Sequence, residues 1–221
     1  MAPHPVLQLH NICHRFGSQW ALSHASLQVP TGQTVLLTGH NGAGKTTLLR
    51  IVATALQPSR GSLQIFGIDA LALPQQVRPR LGLVSHQHFM YEALSASQNL
   101  QALCRLVRPA SLPQVPQVLQ EIGLERCGDA ALSTFSAGMK RRLALGRLLL
   151  LDPEVVLLDE PFGQLDPQGV ALVEQVLQRF RTAGKTLLLC THDVERGQAL
   201  CDVHVHLGPG GLIPQNAAVR P

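Results

Sequence analysis

Gly39-His40-Asn41-Gly42-Ala43-Gly44-Lys45-Thr46-Thr47 is the stretch on which the reading of this chain turns. Ahead of it, Thr34-Val35-Leu36-Leu37-Thr38 is short, apolar and β-branched at its start, the pattern of a buried strand. After it, Lys45 to Leu56 reads as a helix. Gly39, Gly42 and Gly44 open backbone angles closed to other residues, so successive N–H groups, those of Asn41 and Ala43 among them, can turn inward around an anion. The helix N-terminus adds its dipole and its unpaired donors. Lys45 is then placed to reach the β- and γ-phosphates, and the Thr46 hydroxyl to ligate Mg²⁺, with Thr47 beside it. Strand, glycine loop and helix together match the P-loop pattern and predict a nucleotide.

Two more apolar runs deliver polar residues in the same way. Val155 to Leu158 ends in Asp159-Glu160, and Thr186 to Cys190 ends in Thr191-His192-Asp193. Parallel α/β sheets bind ligands at the carboxyl ends of their strands, so Lys45, Asp159, Glu160 and His192 are expected to converge there. Asp159 suits a Mg²⁺ partner acting through water, because Mg²⁺ prefers hard oxygen ligands and keeps part of its hydration shell. Glu160 is then free to orient or deprotonate an attacking water. The bland alternative is that Asp159-Glu160-Pro161 only closes a strand.

Further motifs sit around these. Phe135-Ser136-Ala137-Gly138-Met139 resembles the signature loop of ABC transporter ATP-binding subunits, Gly163-Gln164-Leu165-Asp166 their D-loop, and His192 their switch histidine. Gln87, after the strand Leu81 to Ser85, is similar to the Q-loop glutamine, and Phe16 sits where that family places an aromatic against adenine. The resemblance implies an α/β fold: a P-loop NTPase core with a parallel sheet, an N-terminal antiparallel β subdomain and a helical insertion at about 88–137. It spans 1–207, with 208–221 as a tail. It also implies ATP and Mg²⁺ as ligands, with Glu160, His192 and Gln87 catalytic and Thr46, Gln87 and Asp159 at the metal. Phe16, the P-loop, Ser136, Gly138 and Asp166 are implied at the nucleotide. Ala137 and Met139 depart from the usual signature residues, but Ser136 and Gly138, the positions expected at the γ-phosphate, are kept. His40 stands where proline is common, and Phe16 lacks a tyrosine hydroxyl but keeps the stacking face. One subunit's P-loop is expected to face the other's signature loop, giving an ATP-dependent homodimer that drives an integral membrane permease.

Within the family, Gly82 to Tyr91, Ile51 to Pro58, the signature Met139 and Glu160-Pro161-Phe162 are similar to exporter ATPases. The short end after the switch region is similar to the haem exporter ATPase of cytochrome c maturation. Drug, lipid or polysaccharide exporters share much of this pattern. A soluble member acting on ribosomes or DNA stays open, although there is neither a second such domain nor a long coiled coil, and an importer is a third possibility.

Composition bounds the rest. The 221 residues suffice for one sizeable core. No stretch approaches the ~18 apolar residues of a membrane span, and Met1-Ala2-Pro3-His4-Pro5 has no signal-peptide character, so a cytoplasmic protein peripheral to the inner face of the cell membrane is expected. The five cysteines are scattered and odd in number, as reduced thiols are. His204-Val205-His206 would put two rings on one strand face, where a metal could bind if a third ligand joined them. His86 and His88 flank Gln87 as contact residues. The net charge of +4 admits nucleic acid, but Lys140-Arg141-Arg142 is expected to be a solvated helix face, and no nucleic-acid partner is expected.

Antiparallel strands are expected from Val6 to Val29, broken near Gly17, and another from Ser62 to Phe66. Glu92 to Thr134 reads as helical, interrupted by Pro109, Pro113 and Pro116. Helices are expected over Met139 to Leu151 and Pro167 to Arg181, and the tail from Gly208 is expected to be loosely ordered. Phe89, Met90 and Tyr91 either pack inside the insertion or line a groove for a cytoplasmic helix of the permease.

Overall fold

The computed structural model describes residues 5–85, 90–208 and 211–214. Its strands are β1 (Pro5–Phe16), β2 (Gln19–Pro30), β3 (Thr34–Thr38), β4 (Arg60–Ile65), β5 (Ile68–Asp69), β6 (Leu81–Val84), β7 (Val155–Asp159), β8 (Thr186–Cys190), β9 (Val203–Gly208) and β10 (Gly211–Pro214). The α-helices are α1 (Lys45–Val52), α2 (Pro74–Val77), α3 (Ala96–Val107), α4 (Val115–Glu121), α5 (Ala137–Leu151), α6 (Pro167–Thr182) and α7 (Val194–Leu200).

An antiparallel sheet of order β2-β1-β4-β5 lies beside a sheet of order β10-β9-β3-β8-β7-β6. The second sheet is parallel from β6 through β9, and β10 returns antiparallel along β9. Its central strands are buried on both faces, which is why they read as continuous apolar runs. Alternate side chains serve two cores. Leu36, Val156, Leu158, Leu187 and Leu189 pack toward α3–α6. Val35, Leu37, Val155, Leu157 and Leu188 pack toward α1 and the antiparallel sheet.

The expected architecture is therefore present, with four local differences. Helix α1 stops at Val52, not Leu56: Thr54 is left-handed (φ 56°), and the N–H groups of Ala53, Thr54 and Ala55 bond back to Leu49, Ile51 and Arg50. Helix α5 begins at Ala137, because the Ser136 hydroxyl accepts the Met139 N–H at 3.2 Å and caps the turn. Pro116 opens α4 rather than interrupting a helix, since a missing N–H costs nothing in a first turn. Part of the tail is ordered: β10 satisfies the free backbone edge of β9. Gly211 (φ 107°) approaches β2 so closely that a Cβ would lie 2.8 Å from the carbonyl oxygen of His24.

Among the described residues, no helix is long and apolar enough to cross a membrane.

Candidate active site

The loop between β3 and α1 is pinned from both sides. A Cβ on Gly39 (φ 155°) would lie 2.7 Å from the carbonyl of Leu207 in β9, and one on Gly44 (φ 97°) would overlap the carbonyl of Ala21 in β2. Gly42 (φ 84°) meets nothing, and with Asn41 it forms the exposed crest. The Ala43 N–H closes the turn on the carbonyl of His40 at 3.1 Å. Lys45 curls over this crest, and its Nζ donates to the carbonyls of Gly39 (2.7 Å) and His40 (3.1 Å). Those bonds hold the ammonium where a phosphate bound by the loop would compete for it. Thr47 is half-buried in the first turn of α1.

Two strand ends bring the carboxylates in. Asp159, the last residue of β7, is buried, and its Oδ2 accepts the Thr46 hydroxyl at 2.7 Å. Glu160 follows in a left-handed conformation (φ 50°) that is unfavourable for a residue with a Cβ. Its N–H is tied to the carbonyl of Cys190, the end of β8, at 2.8 Å. Its Oε2 accepts from the backbone N–H of His192 at 3.2 Å and from ring Nδ1 at 2.7 Å. That ring is 77% exposed, so it can meet a ligand while resting on the carboxylate. Lys45, Thr46, Asp159, Glu160 and His192 thus gather at the carboxyl ends of β3, β7 and β8, as their positions in the sequence imply.

The signature residues lie apart from the P-loop. Ser136, Gly138, Met139, Arg142, Gln164 and Asp166 line a groove of about 550 Å³ to which no P-loop residue contributes. Asp166 caps α6 by accepting the Gly169 N–H at 2.8 Å and pairs with Arg142 at 2.7 Å. The Arg142 hydrogen bond is the main reason its carboxyl is held below the usual range. Phe16 is 54% exposed, its ring edge-on to His14 at 4.6 Å between centroids. Gln87, His86, His88 and Phe89 lie outside the described residues. Of their neighbours, Tyr91 is exposed, whereas Met90 packs partly against the core under α3–α6.

Several features differ from the sequence reading. Lys140-Arg141-Arg142 is not a solvated face: Lys140 pairs with Glu92 at 2.9 Å, Arg142 with Asp166, and Arg141 is only 2% exposed. Arg141 Nη1 donates to the Asp159 carbonyl at 3.3 Å. Adjacent cations repel and usually spread into water, and here three separate acceptor groups absorb them instead. His204 and His206 do share a face, but they converge on Thr38, whose Oγ1 lies 2.8 Å from His204 Nε2 and 3.2 Å from His206 Nδ1. They steady the end of β3, and burial together with His206 pushes the His204 pKa down. The sequence reading also missed Trp20, which is half exposed and lines a groove of about 280 Å³ beside the P-loop with His40, Gly42 and Leu207. Its signal was a lone tryptophan four residues past Phe16.

Comparison with known proteins bears on the same elements. Residues 22–163 match the family described as ABC transporter. The chain is 36% identical to Nod factor export ATP-binding protein I of Ralstonia nicotianae, over 96% of this chain and 67% of that protein. It is 32% identical to the ABC transporter ATP-binding protein NatA of Bacillus subtilis, over 89% of this chain and 82% of that protein. A solved ATP-binding subunit of an ABC transporter superposes with a TM-score of 0.87 at 26% identity, covering 96% of this chain and 90% of that one. The chain thus spans about two thirds of the length of its Nod factor relative. The likeness to a haem exporter finds no specific support in these matches, which are to ATP-binding proteins of Nod factor export and of NatA. Family match, fold and clustered site agree that this chain belongs to the ABC transporter family, as an ATP-binding, ATP-hydrolysing subunit.

Proposed function

We propose that the chain hydrolyses MgATP in a head-to-tail dimer to drive an exporter permease at the membrane. The observation that carries this reading is the joining of three strand ends by two short bonds, Thr46 to Asp159 and Glu160 to His192. Backbone N–H groups of the loop from Gly39 to Thr47 cradle the phosphates, and Lys45 exchanges its carbonyl partners for them. A hydroxyl and a buried carboxylate 2.7 Å apart are a hard-oxygen donor set that fits Mg²⁺, so Thr46 and Asp159 would hold it, with Gln87 as the family's third contributor. When bound, Mg²⁺ supplies charge stabilisation to the phosphates.

Glu160 orients a water for in-line attack and takes its proton at a carboxylate oxygen. His192, whose Nδ1–H steadies that carboxylate, offers its exposed edge to the γ-phosphate. Phe16 stacks on adenine. Ser136 and Gly138, with Asp166 behind them, face the γ-phosphate of the partner's nucleotide, in keeping with a groove that no P-loop residue of the same chain enters. Export is favoured by the Nod factor relative, whose name states that activity. The cargo would then be a drug, lipid or polysaccharide rather than haem.

The test is capture of tagged Glu160→Gln protein from native membranes in MgATP. Co-purification of a multi-span permease encoded beside exporter genes is the expected result. Recovery of ribosomes or DNA-bound complexes would overturn the transport reading, and an importer's permease would reverse its direction.

A further inference from the structure

Glu160 occupies a backbone conformation it would not choose by itself, and what holds it there includes a residue from the signature helix. The residue is left-handed at φ 50°, and among the described residues most such positions are glycine. Three bonds fix the peptide planes around it. Its own N–H donates to the carbonyl of Cys190 at 2.8 Å, and its carbonyl accepts the Gly163 N–H at 3.2 Å. The preceding carbonyl, that of Asp159, accepts Nη1 of Arg141 at 3.3 Å. Arg141 reaches it from α5, the helix capped by Ser136. Its guanidinium is buried, a costly placement that burial registers by pulling its pKa down, while Asp159 and Glu160 act in the opposite direction. A buried cation is retained where it has partners, and here it donates to the backbone carbonyl of Asp159, the residue before Glu160.

We propose that Arg141 is a positioning residue for Glu160. It clamps the Asp159–Glu160 peptide so that the carboxylate stays aimed at His192 and the attacking water, and it ties that aim to the placement of the signature helix. The neighbouring residues extend the same linkage, since Lys140 binds Glu92 at the start of the insertion and Arg142 binds Asp166 before α6. One helical turn therefore touches the insertion, the carboxylate turn and the D-loop. A shift of α5 on dimer closure would reach Glu160 through Arg141 and the Asp159 carbonyl. The proposal rests on the assignment of Glu160 as the group that activates water.

The experiment compares Arg141→Met, Arg141→Lys and Glu160→Gln, singly and with Arg141→Met and Glu160→Gln combined, each checked for thermal unfolding with and without MgADP. Arg141→Met is expected to lower kcat by about 10- to 100-fold, the scale seen when groups supporting a reaction centre are removed. Affinity for a fluorescent ATP analogue should stay at the wild-type value. Arg141→Lys, which restores a charged donor, should recover most of the turnover, and it decides the matter if Arg141→Met does not fold. In the Glu160→Gln background, Arg141→Met should change the residual rate little, because both substitutions disable one unit. A wild-type kcat for Arg141→Met, or an equal fractional loss on top of Glu160→Gln, would overturn the proposal. Wild-type turnover by Glu160→Gln itself would instead remove the assignment of Glu160, and the proposal with it.

Discussion

At the scale of single residues, the P-loop glycines differ in a way that the sequence does not display. Gly42 and Gly44 have similar dihedral signs (φ 84° and 97°), yet one faces open space and the other the backbone of β2. Gly42→Ala should cost only the left-handed penalty, about 1–2 kcal/mol. Gly44→Ala adds an overlap with the Ala21 carbonyl, a backbone atom that cannot rotate away, worth about 1–3 kcal/mol more. Urea unfolding should therefore rank Gly44→Ala well below Gly42→Ala in stability, and only the first should displace the loop enough to abolish nucleotide binding. Equal midpoints for the two would contradict the close approach of β2. The grouping of Lys45, Thr46, Asp159, Glu160 and His192 was legible because each follows an apolar strand, and they meet at the strand ends as expected. Arg141 was not legible. A basic triplet on a helix looks the same in sequence whether it faces water or, as here, sends its middle member beneath β7.

At the scale of elements, the register between β6 and β7 is reinforced from outside the sheet. Arg80, just before β6, makes a two-pronged bond to Glu154, just before β7, at 2.6 and 2.7 Å, and its guanidinium lies over the Phe66 ring at 3.4 Å. Both side chains of the ion pair are more than a third exposed, so solvent screening limits it to about 0.2–1 kcal/mol. The ring contact adds about 0.5–1 kcal/mol at an exposed site. Arg80→Ala should thus cost about 0.7–2 kcal/mol near neutral pH. The Arg80 hydrogen bond is the chief reason the Glu154 carboxyl is held below its ordinary value. A lowered folded value means that the ion-pair share is fully present above the unfolded value of about 4.3 and is lost as pH falls through the folded one. The ring contact survives acid, so the difference between Arg80→Ala and wild type should shrink below that pH without vanishing. Denaturation curves at neutral pH and at acid pH would show it, and a pH-independent difference would exclude the ion pair as a contributor. Strands such as β3, β7 and β8 were legible because burial on both faces demands an unbroken apolar run. The edge strand β10 was not, because its order comes from the free edge of β9 and from β2, the latter distant in sequence, while its own composition suggests a loose tail.

At the scale of the whole molecule, the decisive property is that the signature groove and the P-loop lie apart. The P-loop half holds Lys45, Thr46 and the carboxylates, and the groove around Ser136 and Gly138 has no P-loop residue in its lining. If each groove serves the nucleotide of a second copy, a two-fold dimer has two sites, each drawing its P-loop from one chain and its signature loop from the other. Two inactive variants can then repair one another. Lys45→Ala removes the phosphate contact of its own P-loop, while Gly138→Asp places a carboxylate against the incoming γ-phosphate of the partner. A Cβ at Gly138 would lie 3.2 Å from the Gln164 carbonyl, a contact that a small local shift relieves, so Gly138→Asp should fold. In a mixed dimer one site carries both lesions, and the other combines the intact P-loop of the Gly138→Asp chain with the intact signature loop of the Lys45→Ala chain. Each variant alone should be inactive, and mixing them in MgATP should restore hydrolysis that rises with concentration as mixed dimers form. Failure to recover any activity, with both variants folded and Gly138→Asp still binding ATP at its own P-loop, would argue against sites shared between two chains. Each half-site would then act within one molecule, and closing one chain on itself would have to carry the signature groove to its own P-loop.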